Sequence, residues 1–141
     1  MEYKAVVLVC PGEGKKRICC ILTIGVDNSW RTVDSECELL QTTEFVHDPL
    51  ITEGFVHWYI RDTNEVLTLN VETEIITETS VPIPRVVYGN RHNILLSTGR
   101  YLSLLRPCGE YCWEVWEMKP EILITGGERY VTYPWRLTSA A

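Results

Sequence analysis

An all-β fold is predicted by three features of the sequence. Short apolar stretches rich in β-branched and aromatic residues alternate with Gly-, Pro-, Asn- and Asp-containing turns, and no segment reads clearly as helix; Trp113 to Lys119 fits either, and its neighbours favour strand. The clearest case is Gly54 to Val71, where Phe55 to Ile60 and Val66 to Val71 flank the polar turn Arg61-Asp62-Thr63-Asn64. Asp and Asn hydrogen-bond their own backbone and tolerate unusual φ, so this stretch reads as a hairpin. The chain also echoes itself. Leu22-Thr23-Ile24-Gly25-Val26-Asp27-Asn28 resembles Leu67-Thr68-Leu69-Asn70-Val71-Glu72-Thr73, 45 residues on, and Gly54 is matched by Gly99 at the same offset. A third copy of the second strand falls at Cys112 to Trp116. Several strands in each unit of 40–50 residues is the period of a β-propeller blade.

In chain order, Glu2 to Val9 reads as a strand, and Cys10 to Lys16 as a turn marked by Pro11, Gly12 and Gly14. Arg17 to Val26 is an apolar run too β-branched for a comfortable helix. Asp27-Asn28-Ser29 turns the chain, Trp30 to Val33 opens a third short strand, and residues 34–45 form a polar, acidic connection. Leu50-Ile51 is a short strand before the hairpin. Ile75 to Val81 alternates apolar residues with Thr and Glu, which places one face on a core and one in water. Val81-Pro82-Ile83-Pro84 links two units, because each proline removes a ladder donor. Ile94 to Ser97, Arg100 to Leu105 and Tyr111 to Met118 make a third unit, with Arg106 to Glu110 as its turn. Ile122 to Thr125 and Arg129 to Tyr133 form one more hairpin around Gly126-Gly127. Residues 1–137 are read as one domain and 138–141 as a frayed tail. About three units do not close a ring, since propellers have four to eight blades.

The length of 141 residues suits a single core, and the apolar share of 45% is globular. A net charge of −6 disfavours contact with phosphate backbones, so no nucleic-acid partner is expected. The apolar run Ala5 to Cys10 is too short for a signal core or a membrane span. No membrane partner is expected, and the compartment expected is cytosol or nucleus. Without a secretory signal, Cys10, Cys19, Cys20, Cys37, Cys108 and Cys112 read as reduced thiols packing as small apolar groups.

The same pieces resemble, in order and spacing, the F-box associated domain of plant F-box proteins. They are Glu2-Tyr3-Lys4-Ala5-Val6, Asp27-Asn28-Ser29-Trp30-Arg31, Gly54-Phe55-Val56-His57-Trp58 and Trp113-Glu114-Val115-Trp116-Glu117-Met118, so the resemblance runs from about Glu2 to Lys119. It implies a kelch-like β-propeller that recognises a protein substrate for ubiquitination within a Skp–cullin–F-box ligase. The helical F-box with its Leu-Pro signature is not in this sequence. Binding of a Skp-type adaptor is therefore expected only if a longer form carries that segment. Two functions follow. One is the substrate-recognition module of such a ligase; the other is an F-box-less adaptor, competitor or truncated relative that binds proteins without assembling a ligase.

The turns at Cys10–Lys16, Arg61–Asn64 and Arg106–Glu110 occupy the same place in successive units, so in a propeller they share one face; the connections after Val33 and Val81 return to it if each unit alternates direction, with Asp27–Asn28, Glu72–Thr73 and Lys119–Pro120 opposite. The first face gathers Lys15, Lys16, Arg17, Arg61, Asp62, Arg91, His92 and Arg106. It is the candidate partner surface, for an acidic or polar segment, and a solvated rim is the ordinary alternative.

No chemistry is expected. Gly12-Glu13-Gly14-Lys15-Lys16 lacks the full phosphate-loop spacing and its helix. Cys108 and Cys112 are two ligands where zinc wants four, and Cys19 and Cys20 point to opposite faces of a strand. Glu72, Glu74 and Glu78 read as a solvated strand face, and His47, His57 and His92 are scattered. A sugar-processing propeller enzyme would need acids clustered at a central channel, which three open blades do not form. Trp58, Trp113 and Trp116 are expected to anchor packing, and Trp30 and Trp135 to be exposed.

Overall fold

A computed structural model describes residues 2–9, 12, 17–33, 48–60, 63–82 and 92–140. Among these residues the chain is all-β, without a helix, and its thirteen strands form four antiparallel sheets. The first sheet holds β1 (Lys4–Val9), β2 (Ile18–Thr23) and β3 (Arg31–Thr32), in that order. The second is a four-stranded meander of β4 (Leu50–Thr52), β5 (Phe55–Ile60), β6 (Glu65–Asn70) and β7 (Ile75–Ser80). The third contains β8 (Ile94–Ser97), β9 (Leu102–Pro107) and β10 (Trp113–Met118). A hairpin of β11 (Glu121–Thr125) and β12 (Glu128–Thr132) then intervenes before β13 (Trp135–Ala140) returns to pair with β10.

The second sheet is the middle layer, and its sequence explains why. In β5 and β6 both sets of alternate residues are apolar or internally bonded, as befits strands buried on two faces. Val56, Trp58, Ile60, Leu67, Leu69 and Ile76 pack against Cys19, Ile21 and Val33, with Val6 and Leu8 at the margin. On the other face Tyr59 and Val66 meet Leu102, Leu104 and Met118, flanked by Leu50, Leu95, Trp116 and Trp135. Two hydrophobic cores thus lie on either side of one sheet.

Several expectations change. Thr138 to Ala140 are not a frayed tail: they end β13, which is held because β10 would otherwise be a bare edge. The fourth strand of the third unit is thus recruited from beyond the inserted hairpin. The 45-residue match of Leu22–Asn28 to Leu67–Thr73 sets a turn against a strand. In the structure Thr23 and Asn70 end equivalent strands. The carbonyl of Thr23 accepts from the amide of Asp27, and that of Asn70 accepts from Glu74, closing the same five-residue turn. The match of Gly54 to Gly99 does hold. Both residues sit in the turn before the sheet's second strand at φ of 82° and 90°, a left-handed conformation that a Cβ would strain. β9 runs on through Pro107, so the turn that follows is centred on residues 108–112 rather than on Arg106–Glu110. Trp135 packs on the second core instead of facing solvent, whereas Trp30 is exposed. Glu72 and Glu74 lie in the turn after β6, not on a strand face. Residues 34–47 and 83–91 fall outside the described residues.

Cys19 and Cys20 part as alternation requires. Cys19 enters the first core and Cys20 faces away from it. Burial raises the Cys19 thiol to a pKa of about 11, with the neighbouring Cys20 adding to the shift. Thiolate is the reactive form, so at pH 8 alkylation of Cys19 is expected to be about a hundredfold slower in the folded chain than in denaturant, where the thiol returns to its ordinary value of 9.0. Peptide mapping by mass spectrometry over an alkylation time course checks this.

Candidate partner-binding surface

The strands fix two ends of the layered sheets. At one end the carbonyl of Asn64, in the β5–β6 turn, accepts from the amide of Val81. The Asn93 side-chain amide donates to Asn64 Oδ1 at 3.3 Å and to the carbonyl of Pro82 at 3.2 Å, which ties the start of β8 to the second sheet. Asn64 sits at φ 52°, a left-handed turn position that asparagine tolerates better than most residues. It also accepts from the Tyr59 hydroxyl at 2.8 Å. Because Ile94 pairs with Leu105, His92 and Arg106 belong to this same end. Val9 pairs with Ile18, so Arg17 belongs to it as well.

The opposite end carries an ionic network between the first two sheets. Arg31 donates from Nη1 and Nη2 to the two Glu74 oxygens, at 2.8 and 2.7 Å, and from Nε to Asp27 at 2.9 Å. Lys4 adds a bond to the carbonyl of Val71 at 2.9 Å. Hydrogen bonds hold both carboxylates below their ordinary pKa: the Thr23 amide and Arg31 act on Asp27, and Arg31 acts on Glu74. The Arg31 guanidinium is raised by the same pairs, Glu74 first. Glu74 holds φ 58°, an uncommon conformation for a glutamate.

Of the residues expected on the partner surface, Lys15, Lys16, Arg61, Asp62 and Arg91 lie outside the described residues. His92 is exposed. Arg106 is half-buried and its charge is answered inside the third sheet. It faces Glu114 across the ladder, donates to Glu114 Oε2 from Nε at 2.7 Å and from Nη2 at 2.6 Å, and stacks over the Trp116 ring. The Trp116 indole donates to the same carboxylate oxygen at 3.0 Å. Arg106 therefore offers a partner much less free charge than its position suggested. Cross-strand register, invisible to a count of cations, is what brings Glu114 to it.

One buried polar group was missed as such. His57 lies in the second sheet with its ring between two threonine hydroxyls, Thr52 Oγ1 at 2.8 Å from Nε2 and Thr68 Oγ1 at 2.9 Å from Nδ1. Phe55 stacks on it and Tyr133 meets Phe55 edge-on. Burial pushes the imidazole down to a pKa of about 4, so at neutral pH it is uncharged. One nitrogen donates and the other accepts, which both hydroxyls satisfy. The signal was available in the sequence: Thr68 is opposite His57 in the hairpin register.

The inserted hairpin is the most exposed apolar element described. Ile124 is 74% accessible, and Ile122, Leu123, Tyr130 and Val131 are also exposed. An ion pair of Glu121 with Arg136 at 2.6 Å ties it to the third sheet. Among the described residues no cluster of three His, Cys, Asp or Glu side chains is arranged to hold a metal, and no helix is long and apolar enough to cross a membrane. No protein-family model, curated protein or solved structure matches this chain.

Proposed function

We propose that this chain is a protein-binding module of the F-box associated type, made of three consecutive blades of a kelch-like propeller, with no catalysis of its own. The supporting observation is the middle sheet. It packs one like sheet on each face, and equivalent turns recur after β2 and β6, as neighbouring blades of a radial array would. In that reading the end of the sheets bearing Asn64, His92 and Arg106 gathers the loops that meet a protein substrate.

The test is immunoprecipitation of the endogenous protein with its intact mass. Recovery of a Skp-type adaptor and a cullin with a substrate supports the ligase receptor. Recovery of a protein partner without either supports a free-standing adaptor, and recovery of no protein removes both. Once a partner is identified, reversing Arg61 and Arg91 together is expected to slow its association about tenfold, as loss of steering charge does. Surface plasmon resonance reads the rate. Arg106 is best tested separately as Arg106→Gln, because a glutamate there would oppose Glu114.

A further inference from the structure

We propose that Cys108 and Cys112 are a reversible dithiol–disulfide pair, closed across the β9–β10 turn by exchange with a low-molecular-weight disulfide. The pairing is a property of this turn and does not depend on the partner-binding reading.

The register of β9 with β10 brings the two residues together. Pro107 pairs with Trp113, and the next step beyond that pair is a bond from the amide of Cys108 to the carbonyl of Cys112 at 3.2 Å. Residues directly opposite in an antiparallel pair send their side chains to one face, with Cβ atoms about 4.5–5.5 Å apart. Their Cα atoms stand about 5.5 Å apart when the pair is hydrogen-bonded, inside the window of about 4.4–6.8 Å that a disulfide spans. A disulfide draws the Cβ atoms to about 3.5–4.5 Å, so closure needs a shift of about an ångström. That shift falls on a turn, because 108–112 lie between the two strands rather than in them. A methyl group added at Gly109 would stand 2.9 Å from Cys112 Sγ, so this sulfur already folds back over the residue that follows Cys108.

Access divides the roles. Cys112 is exposed and Cys108 half-buried, and both are thiols in this structure. The Cys112 thiolate attacks one sulfur of glutathione disulfide, whose S–S bond breaks and releases one glutathione thiolate. Cys108 then gives up its proton to water, and its sulfur attacks Cys112 Sγ in the mixed disulfide, releasing the second glutathione. Two protein thiols are thus oxidised, one disulfide is reduced to two thiols, and the protons lost by the protein end on the glutathiones. The other described cysteines compete poorly. Cys19 is buried, with its thiol pushed up to about 11, and Cys20, next to it in β2, points to the opposite face. Closing the ring narrows the freedom of the turn that carries Tyr111, which is 89% exposed.

The test equilibrates the full chain in buffers of reduced and oxidised glutathione at pH 7.5, folded and in urea, then quenches with acid, alkylates in denaturant and maps peptides by mass spectrometry. The peptide holding Cys108 and Cys112 is expected to become two hydrogens lighter and to take up no alkylating agent. Closure should be about tenfold more favourable in the folded chain than in urea, because the fold has already brought the ends of the ring together. In Cys108→Ser the reaction should stop at the mixed disulfide of Cys112, which should reach about tenfold the level seen in the wild type. The comparison of folded with denatured wild type carries the test if that variant does not fold. The proposal is overturned if both residues stay alkylatable in the most oxidising buffer, or if closure is no easier in the folded chain than in urea. Equal mixed disulfide in the two proteins overturns it as well, as does a bond from either residue to another cysteine, Cys10 and Cys37 included.

Discussion

Replacing Trp58 with alanine is expected to cost about 3–5 kcal/mol of folding stability, the range for a large aromatic removed from a packed core. Trp58 is 4% exposed and sits where the first and second sheets meet, among Cys19, Ile21, Leu67 and Leu69. Neither sheet can slide to fill the space, because the ladders of β5 with β6 and β6 with β7 fix the second sheet at every residue. A loss of that size is a large share of the stability of a typical domain, so part of the chain should be unfolded at room temperature. Urea titration followed by far-UV circular dichroism checks it, with Trp30→Phe as the control: that indole is exposed and its change should fall within about 0.5 kcal/mol.

Acid is expected to weaken the fold well above the range in which carboxylates titrate. His57 has a pKa of about 4 when folded and about 6.5 as a free side chain. Between those values the unfolded chain binds the proton and the folded chain does not, so stability rises with pH there and is lost as pH falls from 6.5 towards 4. The loss attributable to this one ring reaches about 3 kcal/mol near pH 4. Asp27 and Glu74 act in the same direction, but only lower. Their depressed pKa values give stability that is present above their ordinary values of 3.8 and 4.5 and is lost below them. The two contributions therefore separate on the pH axis. Urea midpoints measured from pH 7.5 to 4 should slope downward in the wild type and stay nearly flat between 6.5 and 5 in His57→Gln. An equal slope in both proteins would show that the ring is not held neutral.

Strand existence was legible because the signals are local. Asn64 in a tight turn, Gly54 and Gly99 at left-handed φ, and unbroken apolar runs in β5 and β6 each act over a few residues. What sequence reading missed is long-range. Nothing within residues 135–140 says that β13 pairs with β10 across an intervening hairpin, and a bulge between Val115 and Trp116 further disguises its register. The echoed segments are out of step, since matching letters place Ile24 against Leu69 when like turns begin at Thr23 and Asn70. The candidate partner surface could be read only as a set of turns. Its charge count overlooked that a cation facing an acid across a ladder is spent on it, as Arg106 is on Glu114.

The layering of the sheets also sets the order in which the molecule comes apart. Each interface is a nearest-neighbour term, and the middle sheet has two while the first and third have one each among the described residues. Opening then proceeds from the outer layers inward. Of the three layered sheets the three-stranded first one has the fewest paired positions, and it exchanges its amides sooner than β5 and β6, whose protection reports global unfolding. A protease sampling the native protein would accordingly cut within residues 2–33 while residues 55–70 stay intact as the last cooperative unit.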